Sequence, residues 1–283
     1  MSNNDKLIVV TGATGQQGGA TAKHLLKQGW RVRGLTRDVQ GAAAQALAAA
    51  GAEIISGNMD DRASLDHAFA GAYGVFSVQN FWLPDVGAVG EVRQGKIVAD
   101  AAKAAGVRHF VYTSVGGAER KTGLSHFDSK WQIEEYIRSL GLPATILRPV
   151  FFMENLTSPM MGPRDGVLAN ALKPTTSLQM IAVEDIGFFA ALAFARPQEF
   201  IGKAVELAGD ALTMPQVAET MTRVTGQPVQ FVEVPLEQVA AFSQETADML
   251  AWFNDHGYEA DIAGLRNLNP GLQTFATYLQ KTS

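Results

Sequence analysis

Three glycines spaced three apart, Gly12, Gly15 and Gly18, stand between an apolar run, Leu7–Thr11, and a stretch with helical spacing, Gly18, Ala22, Leu25 and Leu26. That arrangement leaves few folds open. At a strand-to-helix turn such glycines allow a tight bend at Gly12, close approach of backbone to a pyrophosphate at Gly15 and close helix–strand packing at Gly18, while the helix N-terminus offers N–H groups to the anion. The spacing is G-x-x-G-x-x-G rather than G-x-G-x-x-G, and any tight βα turn favours glycine, so the pattern of the surrounding chain carries the weight. Six short, mostly apolar runs, Leu7–Thr11, Arg31–Thr36, Glu53–Ser56, Gly74–Val78, His109–Ser114 and Ala144–Arg148, alternate with helical stretches. Strands buried on both faces of a parallel sheet read this way. The expected fold class is therefore α/β, a Rossmann-type doubly wound parallel sheet over residues 1–150, with a smaller α+β lobe over 151–283 partly interleaved with it.

Glycines punctuate the helices of the first part: Gly29, Gly71, Gly106 and Gly141 each come after a helical pattern as a stop. The alanine-rich stretch Gly41–Gly51 reads as a packed crossover helix, because alanine is the best helix former. After Arg148 the rhythm changes to aromatic and Met-rich sequence, Phe151–Met161, punctuated by Pro159, Pro163 and Pro174. Beyond it, Thr213-Met-Pro-Gln216 predicts a capping box opening a helix to Thr225, and Asn269 before Pro270 predicts another helix start.

Composition narrows the chemistry. The chain has 283 residues and net charge −5, with 23 Lys+Arg against 28 Asp+Glu, so it lacks the basic surplus a nucleic-acid partner requires. It has no cysteine, which excludes disulfides, thiolate nucleophiles and Cys-containing metal sites, and its five histidines form no ligand motif, so no metal is expected. No apolar run approaches the ~20 residues that span a bilayer, and the polar Met1–Lys6 segment carries no leader pattern; no membrane association and a cytoplasmic location are expected.

The end of the second strand is where nicotinamide cofactors are told apart, and it reads Leu35-Thr36-Arg37-Asp38. Arg37 suits the 2′-phosphate of NADP(H); Asp38 suits a ribose hydroxyl of NAD, unless it points outward as the cap of the next helix. NADP (NADPH) is the cofactor expected. Gly90-Glu-Val-Arg-Gln-Gly95-Lys96 fits part of a P-loop, but Ile97 stands where a hydroxyl residue belongs and no strand feeds it, so it is read as mid-helix.

Taken together, Val9-Val-Thr-Gly-Ala-Thr-Gly-Gln-Gln-Gly-Gly19, Thr36-Arg37, Val92-Arg-Gln-Gly-Lys96, His126-Phe-Asp-Ser-Lys130 and Glu154-Asn155-Leu156 resemble the NmrA-like family of atypical short-chain dehydrogenase/reductases, in particular its mammalian redox-sensor subgroup. The resemblance implies an NADP(H)-binding Rossmann fold. It implies cofactor contacts at Gly12, Thr14, Gly15, Gln16, Gln17 and Gly18, at Arg37, at Asn58 and Met59 beside adenine, and at Gln79, Asn80 and Phe81 after the fourth strand. On the nicotinamide side it implies Lys96, Lys130, Phe152 and Asn155. Where the family often has Gly-Asp after the third strand, this chain has Gly57-Asn58.

Ordinary short-chain dehydrogenases carry Tyr-x-x-x-Lys, the lysine lowering the phenol's pKa for proton exchange. Here the pair is His126-x-x-x-Lys130, on one helix face, and Val115 comes after Ser114 where the usual serine is expected. The candidate catalytic residues are Lys130 and His126. Lys130 either contacts cofactor and substrate or forms a solvated pair with Glu134 at i+4; His126, with an ordinary pKa of ~6.5, either relays protons or is a helix-start residue with a satisfied ring. Phe81, Trp82, Phe151, Phe152 and Met153 either wall a pocket for a flat substrate or are plain core. Two functions are compatible with these residues: an NADPH-dependent reductase of a quinone, enone or small carbonyl compound, or a non-catalytic NADP(H)-responsive redox sensor acting through a protein partner. A small-molecule substrate belongs to the first, and a protein partner or homodimer to the second.

Overall fold

The computed structural model describes residues 3–282; Met1 and Ser2, the start of the polar N-terminal segment, lie outside them. Twelve strands occur among the described residues: β1 Leu7–Val10, β2 Arg31–Thr36, β3 Glu53–Ser56, β4 Gly74–Ser77, β5 His109–Thr113, β6 Ala144–Pro149, β7 Phe151–Phe152, β8 Val167–Asn170, β9 Leu178–Ile181, β10 Ala204–Leu207, β11 Asp210–Leu212 and β12 Gln230–Glu233. The larger helices are α1 Gln16–Lys27, α2 Ala42–Ala49, α3 Arg62–Phe69, α4 Gly87–Ala104, α5 Ser125–Ser139 and α6 Val183–Ala195, then α7 Pro197–Phe200, α8 Met214–Thr225, α9 Leu236–Ala240, α10 Gln244–Asp255, α11 Ile262–Leu268 and α12 Phe275–Thr282.

The chain forms two compact units: 1–119, 126–148 and 186–205 make the first, and 120–125, 149–185 and 206–283 the second. In the first unit, β1 to β6 pair in parallel in a sheet of order β10-β6-β5-β4-β1-β2-β3. All six sequence-predicted strands are present within a residue at each end. The edge strand β10 carries no such signal, because Ala204-Val-Glu-Leu207 is short, is interrupted by Glu206 and buries only Leu207.

On one face of this sheet, α3, α4 and α5 bury Leu65, Phe69, Val98, Ile133 and Ile137 against Val9, Val75, Phe110, Tyr112 and Ile146. Removing this apolar area from water stabilises the layer at about 25 cal/mol per Å². The helices approach closely at Gly95, where a Cβ would lie 2.5 Å from Ile133 Cδ1. This is the use of the second glycine of the P-loop-like run, which lies within α4 as expected. On the other face α6 rests on α1: a Cβ at Gly187 would stand 2.6 Å from the carbonyl carbon of Ala20.

In the second unit, β9 pairs antiparallel with β11 and parallel with β7, and β8 pairs parallel with β12. Helix α8 opens on the predicted capping box, with Thr213 and Gln216 bonding reciprocally, and ends at Gly226 in the left-handed region. The helix start predicted at Asn269 is corrected. Its amide donates to Asp185 Oδ1 at 3.1 Å while its side-chain oxygen accepts from Gly271 N, making a turn, and α12 begins at Phe275.

Candidate dinucleotide and reduction site

The sheet order reverses beside β1: the chain runs outward through β2 and β3, then returns to β4 on β1's other side. In open α/β sheets, ligands bind at the carboxyl ends of the strands flanking such a switch point. The glycine loop lies there and is laced to three neighbours. Thr11 Oγ1 accepts from Val78 N at 3.0 Å, Thr14 Oγ1 lies 3.5 Å from Thr36 Oγ1, and Thr113 Oγ1 donates to Gln17 Oε1 at 2.6 Å.

Gly12 has φ +57°, which disfavours any side chain, and a Cβ there would sit 2.8 Å from Val78 Cγ1. At Gly18 a Cβ would fall 2.2 Å from the carbonyl oxygen of Gly12. The close contact at Gly18 is thus between the helix and its own loop, rather than the helix and strand as expected. Gly15 differs: only Gly12 O lies within 4 Å of a Cβ built on it, at 3.3 Å. It is the N-cap of α1 and supplies no side-chain cap, so the first N–H groups of the helix face an exposed position beside Gln16 and Gln17. The cradle, the uncapped helix end and the donors along it fit a pyrophosphate.

Arg37 and Asp38 are both exposed at the end of β2. Asp38 is not the cap of α2: its Oδ1 accepts from Gln40 N at 3.0 Å, and the N-cap is Gly41. Nearby, Asn58 Oδ1 accepts from Asp60 N at 3.1 Å. Asp60 accepts from Arg93 Nε and Gln94 Nε2, each at 2.8 Å. Burial pushes the Asp60 carboxyl up, but those two hydrogen bonds and the fields of Arg93 and Arg37 outweigh it and hold it below the ordinary value. Met59 Sδ is 3.7 Å from Gln79 Nε2.

Gln79 is buried, donates to Ser77 Oγ at 3.0 Å and leaves its Oε1 without a partner. Ser114 continues the sheet ladder by donating its N–H to Leu147 O at 2.7 Å, and its buried hydroxyl likewise lacks a partner. Two orphaned polar atoms at the ends of β4 and β5 carry a desolvation cost that a polar ligand would relieve. Val115 comes next, half-buried. Asn80 folds back to accept from Trp82 N at 3.1 Å.

His126 and Lys130 lie on α5. His126 is buried against the rings of Phe81, Trp82 and Phe127, at 5.6, 5.3 and 4.7 Å between centroids. Lys130 does not pair with Glu134. Its Nζ donates to Glu91 Oε1 at 2.6 Å, while Ser129 Oγ donates to Glu91 Oε2. Glu134 is instead taken by Arg148 and Arg138. Tyr112 of β5 is fully buried with its hydroxyl unpartnered. Burial first, then the fields of Glu91 and Glu134, push that phenol well above its ordinary pKa.

Sequence reasoning missed Glu91 and Ser129. The available signal was that Glu91 is the sole acid between Asp85 and Asp100, one turn into the helix after β4. Lys96 lies more than a turn further along α4, with Nζ 5.2 Å from the ring of Tyr136 rather than with the Glu91–Lys130 pair. Phe152 and Asn155 belong to the second unit, where Asn155 O accepts from Ser158 Oγ at 2.7 Å. Of the five side chains weighed as a pocket wall, Phe81 and Trp82 meet His126, whereas Phe151, packed edge-on against Phe253, and Met153 are core of the second unit.

A sequence profile described as the NmrA-like family matches residues 4–279. The NmrA-like family domain-containing oxidoreductase lnaB of Aspergillus flavus is 32% identical, over 82% of this chain and 76% of its own. The NADPH complex of the quinone oxidoreductase QOR2 from Escherichia coli superposes with TM-score 0.84 at 26% identity, covering 97% of this chain and 99% of that one. NmrA, a negative transcriptional regulator solved in complex with NADP, shares the fold with TM-score 0.81 at 22% identity, covering 98% and 94%.

Proposed function

The chain belongs to the NmrA-like family, and on that premise we propose that it is an NADPH-dependent reductase of a quinone, an enone or a small carbonyl compound. The observation that carries the reading is the uncapped N-terminus of α1 above a glycine cradle at the switch point, with Arg37 exposed at the end of β2. Bound there, NADPH supplies a hydride. The N–H groups after Gly15 hold the pyrophosphate, and Arg37 forks onto the 2′-phosphate. Gln79 Oε1 and Ser114 Oγ find in the ligand the partners they lack in the protein. The Lys130 ammonium, one turn after His126 on α5, stabilises negative charge developing on the substrate oxygen. Phe81 and Trp82 offer ring faces to a flat substrate.

The relatives support the reaction class: one is described as an oxidoreductase and another as an NADPH-dependent quinone oxidoreductase. Steady-state NADPH oxidation against a panel of quinones, enones and aldehydes tests the proposal, and turnover with at least one of them is expected. A second reading, an NADP(H)-responsive sensor working through a protein partner, is favoured by one observation. The residue at the tyrosine position, His126, is buried among three aromatic rings. Tight NADPH binding with no turnover across the panel would select it.

A further inference from the structure

Glu91 is fully buried, one turn into α4, and both of its oxygens are engaged by consecutive residues of α5: Ser129 Oγ on one and Lys130 Nζ on the other. A buried carboxylate–ammonium pair is a poor device for stability alone, because desolvating two charges offsets most of their attraction and an apolar pair of similar volume serves as well. The register of α4 on α5 is moreover already fixed by Gly95 seating Ile133. What the apolar alternative could not do is hold an ammonium, partly open to solvent, one helical turn from His126, whose ring meets Phe81 and Trp82 in the segment that follows β4. Lys130 retains 16% side-chain exposure, whereas Glu91 has none, so the pair is sealed on the acid's side and open on the lysine's. An ammonium has three N–H donors, and Glu91 takes one.

We propose that Glu91 is the positioning residue of this site: its carboxylate, braced by the Ser129 hydroxyl, anchors the Lys130 ammonium and leaves its other donors for the cofactor ribose or the substrate oxygen. The functional unit is then Glu91–Ser129–Lys130, in place of a tyrosine–lysine pair. The proposal rests on the reading of Lys130 as a ligand-contacting residue given under Proposed function.

The test takes two readouts without substrate, so that failure of the reductase reading does not decide it. In wild type and Glu91→Gln, NADPH affinity is measured by fluorescence titration. The rate at which Lys130 reacts with a succinimidyl ester is tracked by peptide mass spectrometry, with Lys103 as internal reference. Glutamine keeps the shape and an acceptor for Ser129 but removes the charge. The expected result is labelling of Lys130 at least fivefold faster and NADPH bound about tenfold more weakly, with partial recovery of both in Glu91→Asp. Unchanged labelling and affinity in a cooperatively melting Glu91→Gln protein overturn the proposal, as does a loss of melting temperature alone. If Glu91→Gln does not fold, Ser129→Ala carries the same test, since it keeps both charges and frees one oxygen; a two- to fivefold change in both readouts is expected, and no change overturns. Should the wild type bind no NADPH, the proposed function falls, and the labelling ratio decides the anchoring by itself.

Discussion

Arg148 forks onto Glu134: its Nε and Nη2 donate to the two carboxylate oxygens at 2.9 and 2.8 Å, and both side chains are buried. This bidentate pair is geometrically matched in a way that lysine cannot imitate. It commits the only carboxylate four residues after Lys130 and leaves that lysine to Glu91.

The pairing changes how the chemistry of Lys130 must be probed. Lys130→Met alone strands the Glu91 carboxylate in the interior, which costs about 3–5 kcal/mol, so lost turnover would be confounded with lost stability. The double variant Glu91→Gln/Lys130→Met is expected to recover much of that stability in urea unfolding while turnover stays ~10²–10⁴-fold down, the usual loss for a positioned acid–base group. His126→Phe, which fits the same cluster of rings, is expected to lose much less. A dead His126→Phe protein that still binds NADPH would assign the proton to the imidazole.

Gly15 and Gly18 separate ligand binding from folding. Gly15→Val meets only Gly12 O and has φ −90°, so a cooperative melt is expected with NADPH binding abolished, the side chain occupying the place of the pyrophosphate. Gly18→Ala collides with loop backbone and is expected to destabilise by about 1–3 kcal/mol as well as to weaken binding. Fluorescence titration and thermal melts of the two variants check both statements.

Cofactor preference depends on Arg37. NADPH is expected to bind more tightly than NADH, and Arg37→Ala to erase a difference of ~1.5–3 kcal/mol, the worth of hydrogen bonds to a charged group. Calorimetry on both cofactors measures it. Equal affinities in the unmutated protein would assign the ribose to Asp38, whose Oδ1 is otherwise spent on Gln40 N.

Stability should fall with acid through His109. Burial lowers this imidazole from 6.5 to about 4, and its Nε2 lies 2.8 Å from Thr145 Oγ1. The neutral ring is thus favoured in the folded state. As pH drops below 6.5 the unfolded chain takes up a proton that the native state refuses, so native stability declines until about pH 4. The slope from this one group is at most about 1.4 kcal/mol per pH unit. Urea unfolding at pH 7 and pH 5 in wild type and His109→Gln measures it, and the loss of stability between the two pH values should be smaller in the variant by up to about 2 kcal/mol.

Six strands and their helices were legible because the signals are local: apolar runs of four to six residues and glycines just past the helix ends. What escaped depends on partners distant in sequence. Strand β10 is recognisable only once β6 offers its edge. Asn269 before proline carries a helix-start signal, but Asp185 and Gly271 engage its side chain and win. At the site, the glycine loop and Arg37 could be read from spacing and position. Glu91 offered only its place as the lone acid between Asp85 and Asp100, because its burial depends on the close approach of α4 and α5 at Gly95, and the i, i+4 rule on its own points Lys130 to Glu134.

Helix α6 enters the first unit only with residues 186–205, after the stretch 149–185 has been laid down elsewhere. During synthesis, then, the glycine loop and its partners Thr36, Val78 and Thr113 emerge early, but the surface of α1 around Ala20, on which Gly187 closes, stays bare until α6 has left the ribosome. At ~5–20 residues per second that interval lasts seconds, long enough for exposed apolar surface to attract chaperones or other nascent chains. The first unit therefore becomes complete only after residues 149–185 of the second have been made. A fragment ended at residue 150 would likewise carry every glycine of the loop and still lack the helix that closes on α1 at Ala20.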